Sequence, residues 1–305
     1  MPVSSVKVTV NGTTVNATAG ENNTWTATIA APNVTSYNVN DGHYYPVTVV
    51  ATNAANTATT VNDQHATLGE SLRLRVKETT APTITIVSPT LNQYLATASP
   101  TIKVNLVDES NGSGIDLTTL SIKVDSATYN NTSSQVSATS ITNGYQITLT
   151  PTTLVDGSHT VTVNVKDNDG NSATSATVLF TTDTVAPTLN VTNPATNGTY
   201  VSTAALDVTG TTSDSTSGTP TVTIKLNDAD QGIVTVTNGA FSKSVTLSNG
   251  ANTIVVTATD KAGKVTTVTR TITLDTSSPV IASVSISPNP VGVGESYTVT
   301  IHVTG

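Results

Sequence analysis

Three stretches of this chain repeat one another: NDGHYYPVTVVATNAANTATT (40–60), VDGSHTVTVNVKDNDGNSATS (155–175) and SNGANTIVVTATDKAGKVTT (248–267). In each, an Asp-Gly or Asn-Gly turn opens an alternating strand, and Asn53, Asp167 or Asp260 closes it. A second strand follows each tight turn, so every copy spells a hairpin. The junctions repeat as well, as KETTAPTITIVSP (77–89), TTDTVAPTLNVTNP (181–194) and LDTSSPVIASVSISPNP (274–290). Pro82, Pro187 and Pro279 mark the hand-over between copies. Proline there fixes the chain and donates nothing to a ladder, which suits a linker or a first-strand edge. A period of this length means one folded module per copy, and short strands with frequent turn signals predict a two-sheet sandwich.

Composition agrees. Charged residues are 10% of the 305, the apolar positions are mostly Val, Ile and Leu beside abundant Thr, and no segment has helical spacing. The net charge of -8 keeps a surface soluble and repels nucleic acid and anionic lipid. With no Cys, each module must stand on its apolar core. No apolar run is long enough for a spanning helix, so no membrane insertion is expected. Residues 1–12 already alternate as a strand, which predicts no signal peptide.

The segments APTITIVSP (81–89), GSGID (112–116) and GSHTVTVNVKDNDGN (157–171) together resemble the bacterial immunoglobulin-like repeats of surface adhesins and of phage virion and tail-associated proteins. The resemblance covers residues 80–276. It implies an all-β chain of tandem immunoglobulin-like β-sandwiches in an extended array, acting as spacers, receptor-contact modules or virion decorations, without enzymatic activity.

Lettered as in that fold, residues 80–183 and 184–276 read as complete modules. VSSVKVTVNG (3–12) matches strand C, as TPTVTIKLND (219–228) does, and TWTATIAA (24–31) matches AFSKSVTL (240–247). Residues 1–79 therefore read as an incomplete module lacking strands A and B. Residues 277–305 supply an A/B pair with no C to follow. Strands A, B, D and E share a sheet in this fold, so the first module expects a bare inner face and an unpaired edge. Val280, Val284, Ile286, Tyr297, Val299 and Ile301 are the residues expected to fill that face in another chain by strand addition; the alternative is that the chain is an excised window of a longer repeat protein. The partners expected are copies of the chain or another virion or surface protein, with a host or cell-surface receptor beyond them and no nucleic acid.

Two loops carry oxygen ligands for calcium, and no other cofactor is expected. DNDGN holds Asp167 and Asp169 but covers half of a full loop motif; its later counterpart DKAGK has Lys261 and Lys264 in place of ligands. VDESNGSGID gathers Asp108, Glu109 and Asp116, where the next module offers Asp214. The turn itself also explains Asp167 and Gly170. No catalytic residue is expected. The four histidines have no zinc spacing, and Ser158 and His159 are strand neighbours facing opposite sides. Aromatics are 4%, too few for the platforms of a glycosidase cleft. The reading is a structural spacer or filament subunit on a phage virion. The alternatives are a segment of a secreted bacterial adhesin and an accessory module of a polysaccharide-degrading enzyme.

Overall fold

The computed structural model describes residues 2–305. They form strands, turns and short 3-10 segments, grouped into two compact units, Met1–Thr182 and Asp183–Gly305.

The first unit begins with β1 (Val3–Val10), β2 (Thr13–Asn16), β3 (Thr18–Ala19), β4 (Trp25–Thr26), β5 (Tyr45–Asn53), β6 (Ala58–Val61) and β7 (Arg73–Leu74). One sheet runs β2-β1-β5-β6, with β7 against β5. Asn11 and Gly12, at φ 46° and 76°, make the two-residue turn whose twist suits the β1–β2 hairpin. β3 and β4 form a separate two-stranded ladder. The core is correspondingly thin: Val6, Val10 and Tyr45 are buried, while Val8, Val47, Val49 and Ala51 are half-buried.

The same unit continues through β8 (Thr83–Ser88), β9 (Gln93–Leu95), β10 (Ile102–Val107), β11 (Ile115–Val124), β12 (Ala127–Tyr129), β13 (Val136–Ile141), β14 (Gly144–Leu149), β15 (Gly157–Asp167) and β16 (Ala176–Thr182). Two sheets face each other, β13-β14-β10-β8 and β12-β11-β15-β16-β9. Alternate residues of each strand enter the space between them, as a period of two requires. Ile102, Val104, Leu106, Ile122, Ile147, Leu149, Val161, Val163 and Phe180 there are 0% exposed.

In the second unit, β17 (Thr188–Asn193), β18 (Thr199–Val201), β19 (Ala205–Ser213), β20 (Thr221–Leu226), β21 (Ala229–Val234), β22 (Val236–Thr237), β23 (Ala240–Thr246), β24 (Gly250–Thr259) and β25 (Val265–Leu274) repeat the plan. The sheets are β17-β19-β23-β22 and β18-β25-β24-β20-β21. The tandem β-sandwich reading holds, and residues 83–182 and 188–274 are complete immunoglobulin-like sandwiches. The chain then forms β26 (Val280–Ser287) and β27 (Thr298–Thr304), a two-stranded sheet of their own. Every residue from Asp275 to Gly305 is exposed.

One corner recurs with three different side chains. Tyr45 donates its hydroxyl to Val34 O (3.0 Å), and Asn252 Nδ2 donates to Ser248 O (2.7 Å). His159 Nε2 lies 2.9 Å from Val155 O. Each is buried and ties the start of strand F to backbone upstream, eleven residues back for Tyr45 and four for His159 and Asn252, where an unpaired carbonyl would be costly.

Candidate cation sites at the module joints

Both complete modules place acidic side chains at one end of the sandwich, where the incoming linker meets the ends of strands B and F. The linker supplies Glu78 to the first and Asp183 to the second. Each stands four residues before the junction proline, Pro82 or Pro187. Strand B stops at Val107 or Ser213, and the next residue is Asp108 or Asp214. Strand F ends at Asp167 in the first, and Asp260 follows it in the second.

Local backbone fixes these carboxylates. Asp108 Oδ2 accepts from Gly114 N–H at 2.6 Å, and Gly114 at φ +81° takes the left-handed turn open to glycine. Asp214 Oδ1 accepts from Thr216 and Ser217 N–H, at 2.8 and 2.7 Å. The F–G turns are closed in the same way. Asp167 Oδ1 accepts from Asn171 N–H and Asp260 Oδ1 from Lys264 N–H, both at 2.8 Å.

What remains is a set of acceptor oxygens with no donor. In the first site Glu78, Asp108 and Glu109 each bring a carboxylate oxygen within 4.8 Å of the others. Glu78 Oε2, Asp108 Oδ1 and Glu109 Oε2 have no hydrogen-bond partner. In the second site Asp183, Asp214 and Asp260 meet the same limit, and both Asp183 oxygens and Asp260 Oδ2 are unpartnered. Asp183, Asp108 and Asp260 are 0%, 5% and 7% exposed, far more buried than carboxylates usually are.

The electrostatics record the crowding. Glu109 is pushed up to about 7, first by its hydrogen bond with Glu78, then by burial and the Asp108 charge. Burial also pushes Glu78 up, but its bonds with Glu109 and with the Ser113 hydroxyl and N–H prevail and hold it below the usual carboxylate range. The two shifts run in opposite directions, as two neighbouring carboxyls that disfavour a second charge require. Burial raises Asp183, and the Asp214 and Asp260 charges add to it. For Asp214 the Ser217 and Thr216 donors outweigh burial and lower its pKa.

A hard divalent cation fits this donor set. Calcium takes carboxylate, hydroxyl and carbonyl oxygens in flexible geometry, and a cation within the group would replace repulsion with attraction for every carboxylate at once. Gly112 leaves the room. A Cβ there would stand 2.6 Å from Asp108 Oδ2 and 3.0 Å from Glu78 Oε2.

Of the five residues read from the sequence as calcium ligands, the structure gathers Asp108 and Glu109. Asp116 folds its Oδ1 onto Thr118 N–H at 3.0 Å as a local turn. Asp167 spends both oxygens within its own turn, its Oδ2 accepting from Asn171 Nδ2 at 2.7 Å. Asp169 serves the joint by hydrogen bonding: its Oδ2 accepts from Thr35 Oγ1 (2.5 Å) and Glu78 N–H (3.1 Å). Lys77 Nζ donates to Asp169 O (3.0 Å), and Asn38 Nδ2 to Gly112 O (2.6 Å). Sequence reasoning missed Glu78 and Asp183 as members of these acidic groups. The signal was present, an acid four residues before each junction proline, with Asp275 before Pro279 as a third instance.

Residues 94–184 match the family model described as bacterial Ig-like domain. Residues 187–276 match that of glucodextranase, domain B. No curated protein is similar enough in sequence to match the chain. Among solved structures, the chain is similar to fibronectin(III)-like modules of Clostridium thermocellum CbhA at 16% identity and TM-score 0.40, covering 63% of this chain and 94% of that one. It is also similar to a tetra-tandem repeat from the extending region of a large adhesion protein, at 20% identity and TM-score 0.33, covering 99% and 80%. A third similar structure comes from a 1.5-MDa bacterial ice-binding adhesin, at 21% identity and TM-score 0.31, covering 90% of this chain and 88% of the solved one.

Proposed function

From a chain whose two complete modules are immunoglobulin-like repeats, we infer a non-catalytic spacer, displayed outside a cell or on a virus particle, with linkers pinned by calcium. One observation carries this reading. Linker, strand B end and the loop or turn beside it converge twice on a carboxylate group with buried, unpartnered oxygens. A cation held there ties the linker residue to the module that follows it, which removes freedom from the joint. Calcium is at its highest concentration outside cells, where sites of modest affinity fill, and this agrees with surface display. Bacterial surface and phage virion are the two settings proposed.

Calorimetric titration of the chain with calcium is expected to find two sites, and chelation to lower the melting temperature. Replacing Asp183 with Asn is expected to remove one site and leave the other. No uptake at millimolar calcium, with melting unchanged by chelator, would discard the reading. The match of residues 187–276 to a glucodextranase domain favours a second reading, an accessory module of a polysaccharide-degrading enzyme. Retardation of the chain in gels containing glucodextran would support that alternative.

A further inference from the structure

Cations are scarce in this chain, 12 Lys and Arg against 20 carboxylates in 305 residues. Yet Arg73, Arg75 and Lys77 stand at alternate positions of one short segment, RLRVK (73–77). β7 opens that segment, and exposure alternates along the rest: Arg75 and Lys77 are exposed, Leu74 and Val76 half-buried. Ser36 holds it in place. Val76 O accepts from Ser36 N–H at 2.8 Å, and Val76 N–H donates to Ser36 Oγ at 3.1 Å.

Arg73 is already engaged. Its guanidinium carbon lies 4.8 Å from the Tyr44 ring centroid, and its Nη1 pairs with Glu70. Arg75 and Lys77 instead line a hollow of about 180 Å³, together with Tyr37, His43 and Asp169. Arg75 makes a long contact, 3.5 Å from Nη1 to Gly42 O, and Lys77 Nζ donates to Asp169 O at 3.0 Å. Asp169 is the one acid on this wall, and its Oδ2 accepts from Thr35 Oγ1 and Glu78 N–H. Positive charge is therefore in excess.

Tyr37 and His43 stack in parallel, with ring centroids 4.1 Å apart and planes 5° apart. His43 Nδ1 lies 2.6 Å from Tyr37 O. A carbonyl only accepts, so Nδ1 carries the hydrogen and the ring is held flat. A guanidinium fork matches a carboxylate with two parallel donors, and an ammonium adds a point charge. A flat aromatic wall packs against the C–H face of a sugar ring. Phosphate would satisfy the cations and leave that wall uncovered. Nucleic acid would meet a chain of net charge -8, which repels it.

We propose that this hollow binds a uronic acid residue of an acidic polysaccharide. The carboxylate sits on Arg75 and Lys77, and the ring packs on the Tyr37–His43 stack. Arg75 is aligned by a segment already tied to Ser36, which lowers the ordering cost of binding. The site stands apart from both acidic groups and calls for no metal ion.

Calorimetric titration with a glucuronate oligosaccharide tests this, in chelator because carboxylates take up calcium themselves. The chain is expected to bind it and to ignore a glucose oligosaccharide of equal length. Arg75→Ala should weaken binding roughly tenfold to a hundredfold, and Arg75→Lys less. Arg75 is exposed, so its loss should leave the melting temperature unchanged. Inorganic phosphate should compete poorly. No binding at millimolar glucuronate oligosaccharide, equal binding of the glucose one, or unchanged affinity in Arg75→Ala overturns the proposal. Phosphate competing as well as the sugar, or tighter binding of a DNA oligonucleotide, overturns it too.

Discussion

At the residue scale, the linker ends at the two complete modules each bring a carboxylate beside other buried acids. Glu109 at about 7 lies well above an unfolded glutamate. Between the unfolded and folded values the folded state binds more protons, so raising the pH through that window costs stability. The melting temperature of the chelated chain is expected to fall from about pH 5 to about pH 8. Saturating calcium should reverse the slope by displacing the proton. Glu109→Gln removes the titrating carboxyl and should flatten the chelated profile. Gly112→Ala makes a separate point: its Cβ would crowd Asp108 and Glu78, so calcium stoichiometry should drop from two to one while the Asp183 site persists.

At the element scale, the hairpins were legible because turn residues and alternation agree. Asn11-Gly12 and the Asp-Gly and Asn-Gly openings of strand F mark where strands begin and end. The acidic groups were less legible, since each gathers side chains from separate elements. Asp167 and Asp260 read alike in sequence and differ in structure through the residue four places on: Asn171 donates to the second oxygen of Asp167, and Asp260 Oδ2 has no such donor. Trp25 aligns in sequence with Phe241, which is buried, but is itself only half-buried. Gly210, in the middle of β19, is a close approach that alternation does not reveal. A Cβ there would stand 2.3 Å from Asn190 O and 2.5 Å from Phe241 Cζ. Gly210→Ala is expected to cost about 1–3 kcal/mol in chemical denaturation, by forcing β17 and the Phe241 ring apart.

At the scale of the whole molecule, stability is unevenly distributed. The complete modules each own a sealed core, while the first has three buried apolar residues on one sheet. Hydrogen exchange is expected to show amides of β1 and β5 opening well before those of β15 and β24. Equal protection would mean that something already covers the first sheet. The linker acids have a different consequence. Glu78 and Asp183 lie on the amino-terminal side of the junction prolines, yet each joins an acidic group with residues of the sandwich beyond. The sequence repeat and the acidic group are thus out of phase by a few residues. A recombination event that added or deleted a module with its breakpoint at the proline would shuffle acids between neighbours. One falling just upstream of the acid would pass on a joint whole.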